Sequence, residues 1–121
     1  MYRKQLSFAC LGKTTMVMLH VGYYPNGRIA IELLQEGLYG LEPFAHMTVN
    51  LPIDAPMESN EAFINTSLIG DDILTFIRDN SLGKELTIPY GNYKAVAFDL
   101  KRLYEYDPDG VTKFMLLQFR P

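Results

Sequence analysis

The chain has 121 residues, 48% hydrophobic and 21% charged. That length suits one α+β domain over residues 1–121, and the balance excludes a disordered, collagen-like or disulfide-rich chain. Eleven basic against fourteen acidic side chains leave a formal charge of −3, which gives no electrostatic drive toward nucleic acid or an anionic membrane, and the lone Cys10 excludes an internal disulfide and a multi-cysteine zinc site.

Arg3 and Lys4 precede an apolar stretch too short for the core of a secretory signal, so residues 1–13 are expected to form a strand in a cytoplasmic protein. Residues 14–24 are nearly uncharged but too few to span a bilayer, and His20 and Gly22 interrupt them. Thr15, Val17, Leu19 and Val21 alternate with Met16, Met18 and His20, a period of two that predicts a central strand covered on both faces. Asn26-Gly27 then predicts a tight hairpin, followed by a strand over 28–35 with Ile29, Ile31 and Leu33 on its inner face. Gly37 and Gly40 bracket a loop. Residues 44–51 alternate again, with Met47, Val49 and Leu51 opposite His46, Thr48 and Asn50, until Pro52 and Pro56 close the strand.

Residues 61–65 read as a short strand leading into one helix, in which Ile69, Ile73, Phe76 and Ile77 make an apolar stripe. Asp71 and Asp72 lie near its positive end and Arg78 near its negative end, with Asn80 and Gly83 as stop signals. Strands over 85–88 and 93–103 are separated by Pro89-Tyr90-Gly91-Asn92. Asp107-Pro108-Asp109-Gly110 predicts a C-terminal hairpin between 93–106 and 111–119, with Gly110 in the left-handed position. The expected fold is therefore α+β: a predominantly antiparallel, curved sheet of about seven strands with one helix packed on it, or alternatively a half-open β-barrel.

Chemistry-bearing patterns are sparse. Cys10, His20 and His46 are candidate metal ligands from neighbouring strands, but no His-x-x-x-His or Cys-x-x-Cys pair supports them, and ordinary strand positions explain them as well. No phosphate-cradling glycine loop or nucleophile elbow is present, so no catalytic residue and no cofactor is expected. Eight tyrosines without a tryptophan are more informative, because tyrosine joins an apolar ring to a hydrogen-bonding tip suited to interfaces. Tyr23, Tyr24, Tyr39, Tyr90 and Tyr93 fall beside predicted turns. Glu32, Glu36, Glu42, Asp54, Glu58 and Glu61 make the central stretch acidic.

The run from Gly22 to Leu33, containing Tyr24-Pro25-Asn26-Gly27-Arg28-Ile29-Ala30, followed by Thr48-Val49-Asn50-Leu51-Pro52, resembles an uncharacterised family of small proteins carried by conjugative elements and phages of gut bacteria. The family is labelled only as a domain of unknown function, and the resemblance covers about residues 22–103. It implies a mobile-element accessory protein and brings no catalytic residues with it. The resulting expectation is a non-enzymatic, anti-CRISPR-like inhibitor that binds a host protein, such as a CRISPR effector or other defence nuclease. Its contacts would come from Tyr23, Tyr24, Tyr39 and Tyr90 with Glu32, Glu36 and Glu42. The alternative is a protein that sequesters small nucleotides through Arg28, Tyr93 and Lys94, and a third reading is metal binding. No direct contact with nucleic acid or membrane is expected, and a homodimer through an exposed sheet edge is compatible with the pattern.

Overall fold

Alternating apolar positions in residues 13–37 build the first half of the molecule. In the computed structural model, which describes residues 4–51, 57–65, 70–87 and 93–118, β1 (Leu6–Cys10), β2 (Lys13–Tyr23), β3 (Ile29–Gly37) and β4 (Gly40–His46) form one antiparallel sheet in that order. The β2–β3 hairpin is the expected one: Gly27 takes φ +87°, and the Tyr24 N–H reaches the Arg28 carbonyl at 2.9 Å. Val17, Leu19 and Val21 face inward with Ile29, Ile31 and Leu33, and all six are buried. The other face of β2 is only partly covered, since Met18 is buried while Met16 and His20 are exposed. Between β3 and β4 the register slips, with Leu33 opposite Ala45 and Leu34 opposite Pro43. Phe44 is the extra residue of this bulge and turns its ring inward, where it meets Phe8 of β1 edge-on at 5.6 Å. Rings from the two edge strands thus touch beneath the sheet, so it is strongly curled. It does not close into a barrel, because β1 and β4 share no ladder.

The single strand expected over 44–51 is instead two strands in two sheets. The chain bends at Met47 and continues as β5 (Thr48–Val49), which joins β6 (Glu61–Ile64), β8 (Ala95–Phe98) and β7 (Gly83–Leu86) in a second antiparallel sheet of order β5-β6-β8-β7. The bend is held by hydrogen bonds that replace the interrupted ladder. The Met47 N–H donates to the Ile31 carbonyl at 3.0 Å, and the Ile31 N–H donates to the buried Thr48 hydroxyl at 3.0 Å. Met47 consequently enters the main core while Val49 and Leu51 pack on the outer face of the second sheet. A strand changing sheets at a bend is how two sheets with differently directed strands share one interior.

That interior is lined by the inner faces of both sheets and by α1 (Gly70–Asp79), whose Ile73, Phe76 and Ile77 are buried as their spacing requires. Ile69 lies outside the described residues. Phe76 packs on Phe8 at 5.1 Å. Asn80 ends the helix, its amide N–H and side chain both donating to the Phe76 carbonyl, and Ser81 takes the left-handed conformation at φ +54°. Gly83 is therefore not the stop but the first residue of β7, where a side chain would strike the Ala97 carbonyl and Val96. The expected turn at 89–92, with Tyr90, and the prolines at 52 and 56 also lie outside the described residues.

The C-terminal hairpin is not formed. β8 is followed by α2 (Leu100–Tyr104) and α3 (Pro108–Gln118), giving three helices among the described residues where one was expected. Each new helix has a capping aspartate: Asp99 Oδ1 accepts from the Lys101 N–H at 3.0 Å, and Asp107 Oδ1 accepts from the Gly110 N–H at 3.2 Å. Pro108 then occupies the first helical position, where its fixed φ helps and its missing N–H does no harm. Gly110 is helical rather than left-handed, and it lets α3 press against the Val21 carbonyl. This contact has a purpose in the sheet. β1 pairs with β2 only as far as Val17, and beyond it the edge of β2 is met by α3, with the buried Asp107 Oδ2 accepting the Val21 N–H at 2.8 Å.

Candidate functional site

The proposed metal ligands are not brought together. Cys10 sits at the turn end of β1 opposite Lys13, and His20 lies seven residues further along β2, roughly 23 Å away at ~3.3 Å per residue. His20 and His46 do fall in one cross-strand row, on either side of Glu32. His46 Nδ1 lies 3.3 Å from Glu32 Oε2, while His20 Nδ1 lies 3.9 Å from Asp107 Oδ2. Among the described residues no group of three or more His, Cys, Asp or Glu side chains is arranged to hold a metal ion. Desolvation pushes the Cys10 thiol above its usual pKa, and the Asp72 carboxylate beside it adds to the effect, the opposite of what activates a nucleophilic thiolate.

The tyrosines separate into different parts of the fold. Tyr23 and Tyr24 stand where β2 turns into β3, and the Tyr24 hydroxyl is engaged by Thr48 Oγ1 at 2.8 Å. Tyr39 is at the other end of the same sheet, in the β3–β4 turn. Arg28 and Tyr93 both contact the Phe63 ring, Arg28 with its guanidinium 5.7 Å from the centroid and Tyr93 edge-on at 5.9 Å. That ring is buried in a small cluster with Ala95. Lys94 lines a hollow with Glu85, Leu86, Thr87 and Ala95, and Leu86 and Ala95 also belong to the cluster around Phe63.

Three of the acidic and aromatic candidates do converge. Glu36, Tyr39 and Glu42 surround the β3–β4 turn, where Glu36 pairs with Leu41 and Gln35 with Glu42. Gln35 donates to Glu42 at 3.1 Å, and Gln5 reaches Glu36 at 3.5 Å. Glu32 is further along β3 beside His46. The β2–β3 ladder ends with Met18 opposite Leu34, and the antiparallel order β1-β2-β3-β4 puts the β1–β2 and β3–β4 turns at the same end of the sheet. The two turns expose large apolar side chains there: Leu11 is 91% exposed, Leu38 87% and Tyr39 98%, with Leu41 and Met16 also exposed behind them.

Leu11, Leu38 and Leu41 were not legible as site residues from composition, yet a local signal exists. Leu11 and Gly12 have φ +52° and +78°, the pair of positive values that marks a type I′ turn. Asn-Gly suits such a turn best, so a leucine there is unfavourable both for the backbone and for solvation. In the second turn Gly40, at φ +120°, takes the positive angle after Leu38 and Tyr39.

The comparisons with curated proteins and with solved structures gave no match. No helix among the described residues is long and apolar enough to cross a membrane. A family described as a domain of unknown function, DUF4313, matches residues 18–117, beginning within β2 so that β1 and the Leu11 turn precede it. The match takes in the second half of β2, β3, β4, the whole second sheet, α1, α2, nearly all of α3 and the Leu38-Tyr39 turn, and on that extent the chain belongs to the DUF4313 family.

Proposed function

We propose that this protein is a non-enzymatic binding protein that docks through the paired hairpin turns carrying Leu11, Leu38 and Tyr39. The observation that carries the reading is the near-complete exposure of three large apolar side chains in two turns that the antiparallel strand order places at the same end of the curled sheet. A monomer gains nothing from such exposure, whereas aromatic and aliphatic anchors entering a partner's pocket supply most of the energy of an interface. Glu36 and Glu42 flank the anchors and favour a partner whose pocket has a basic rim. Together with the sequence resemblance to mobile-element proteins, this extends the proposal to an accessory protein of a phage or conjugative element that inhibits a host defence nuclease, in the manner of an anti-CRISPR, inside the host cytoplasm.

The test is a panel of purified CRISPR effector nucleases and other defence nucleases, assayed for co-elution and inhibition at low and physiological salt. The expected result is a complex with one of them that Tyr39→Ser and Leu38→Ser abolish while the circular dichroism and melting of the variants stay unchanged. Inhibition that survives both substitutions would move the interface elsewhere, and no inhibition across the panel would remove the defence reading.

A further inference from the structure

The second sheet has an edge at β7, and the phase of its ladder shows which backbone groups face out. Bonded and non-bonded pairs alternate in an antiparallel ladder. The Asp99 N–H donates to the Leu82 carbonyl at 2.9 Å, so the next bonded pairs are Lys84 with Ala97 and Leu86 with Ala95. Gly83 and Glu85 therefore direct their N–H and C=O groups away from β8, and among the described residues no backbone group pairs with them. The other edges differ. β4 carries Pro43 and a bulge, α1 packs against β1, β5 is two residues long, and the free half of β2 is met by Asp107 and Gly110.

Beside the β7 edge runs a groove of ≈ 330 Å³ between the strand and α1, lined by Leu74, Ile77, Arg78, Gly83, Lys84 and Glu85. Its floor is apolar. Among the described residues lining the groove and the neighbouring hollow, Arg78, Lys84 and Lys94 stand against one carboxylate, that of Glu85, which Arg78 holds at 2.7 Å. Positive charge is thus left on Lys84 and Lys94 in a chain whose formal charge is −3.

We propose that the groove between α1 and β7 receives an extended acidic peptide of a partner protein by strand addition. The peptide backbone pairs with Gly83 and Glu85, an apolar side chain enters over Leu74 and Ile77, and its carboxylates meet Lys84 and Lys94. An edge strand supplies affinity through main-chain bonds, while the flanking pockets and charges supply selectivity. This surface shares no residue with the hairpin turns and does not depend on their role.

Amide NMR of the intact protein tests the proposal with three probes: a short peptide alternating valine and glutamate, its valine–lysine counterpart, and a version of the first N-methylated along its backbone. The acidic peptide is expected to shift the Gly83 and Glu85 amide signals and slow their hydrogen exchange, and the other two to do neither. Lys84→Glu with Lys94→Glu, both exposed positions, is expected to weaken the acidic peptide about tenfold, the sum of two modest surface ion pairs reversed in sign. Unchanged Gly83 and Glu85 signals with the acidic peptide, an equal response to the basic or N-methylated peptide, or undiminished binding by the double variant would each overturn it.

Discussion

Replacing Leu11 with asparagine separates the demands of folding from those of binding. Leucine at φ +52° carries a backbone penalty of about 1 kcal/mol, which asparagine largely avoids because its short polar side chain tolerates that region. Its side chain is almost wholly in solvent, so the substitution opens no cavity and removes no buried contact. The net expectation is a gain of about 0.5–1 kcal/mol, seen as a rise in Tm of about 2–4 °C. Binding should change in the other direction. If Leu11 is one of three apolar anchors, its loss costs about 1–2 kcal/mol of association, or roughly a tenfold increase in Kd. Urea and thermal melts measure the first quantity, and titration against the nuclease identified by the inhibition panel measures the second. A variant that is less stable than the parent would refute the conformational reasoning. One that is more stable and binds as well as before would refute the role given to this turn.

Three further substitutions probe the framework behind the site. Asp107→Ala removes the cap of α3 and leaves the Val21 N–H buried without its acceptor, so urea denaturation should show a loss of about 2–4 kcal/mol. Gly110→Ala should destabilise as well, although alanine is ordinarily about 1 kcal/mol better in a helix, because the added methyl meets the Val21 carbonyl and the Asp107 carboxylate. A gain in Tm for this variant would show that α3 can shift away from β2. Thr48→Val keeps the side-chain shape but removes the acceptor of the Ile31 N–H and the partner of the Tyr24 hydroxyl, a cost of about 1–3 kcal/mol. Faster hydrogen exchange at Ile31 is the direct readout.

The parts of the fold that could be read from sequence are those in which a local pattern has one physical solution. The alternation from Thr15 to Leu33 around Asn26-Gly27 required a hairpin, and the stripe of Ile73, Phe76 and Ile77 required a helix. The failures occurred where a local pattern has two solutions and distant contacts choose between them. Asp107-Pro108-Asp109-Gly110 satisfies a turn, but it also supplies a helix cap followed by proline at the first helical position. Val111 and Phe114, three apart and both buried, favour the helix once the open edge of β2 is available to receive it. The bend at Met47 was hidden for a related reason, since its hydrogen bonds come from Ile31 on another strand. At the proposed docking end, residue type alone points to Glu36, Tyr39 and Glu42 as candidates. Leucine ordinarily signals core, so Leu11 and Leu38 carry no such signal in the sequence, and only the structure shows them in solvent.

Val21 and Asp107 are 86 positions apart in the chain. While the protein is being synthesised, the upper stretch of β2 leaves the ribosome long before the helix that shields it, an interval on the order of ten seconds at about 5–20 residues per second. During that time the nascent chain presents bare amides and carbonyls to any neighbouring strand, including those of other chains on the same polysome. Yield should therefore respond to translation speed and growth temperature more strongly than the stability of the finished molecule would suggest.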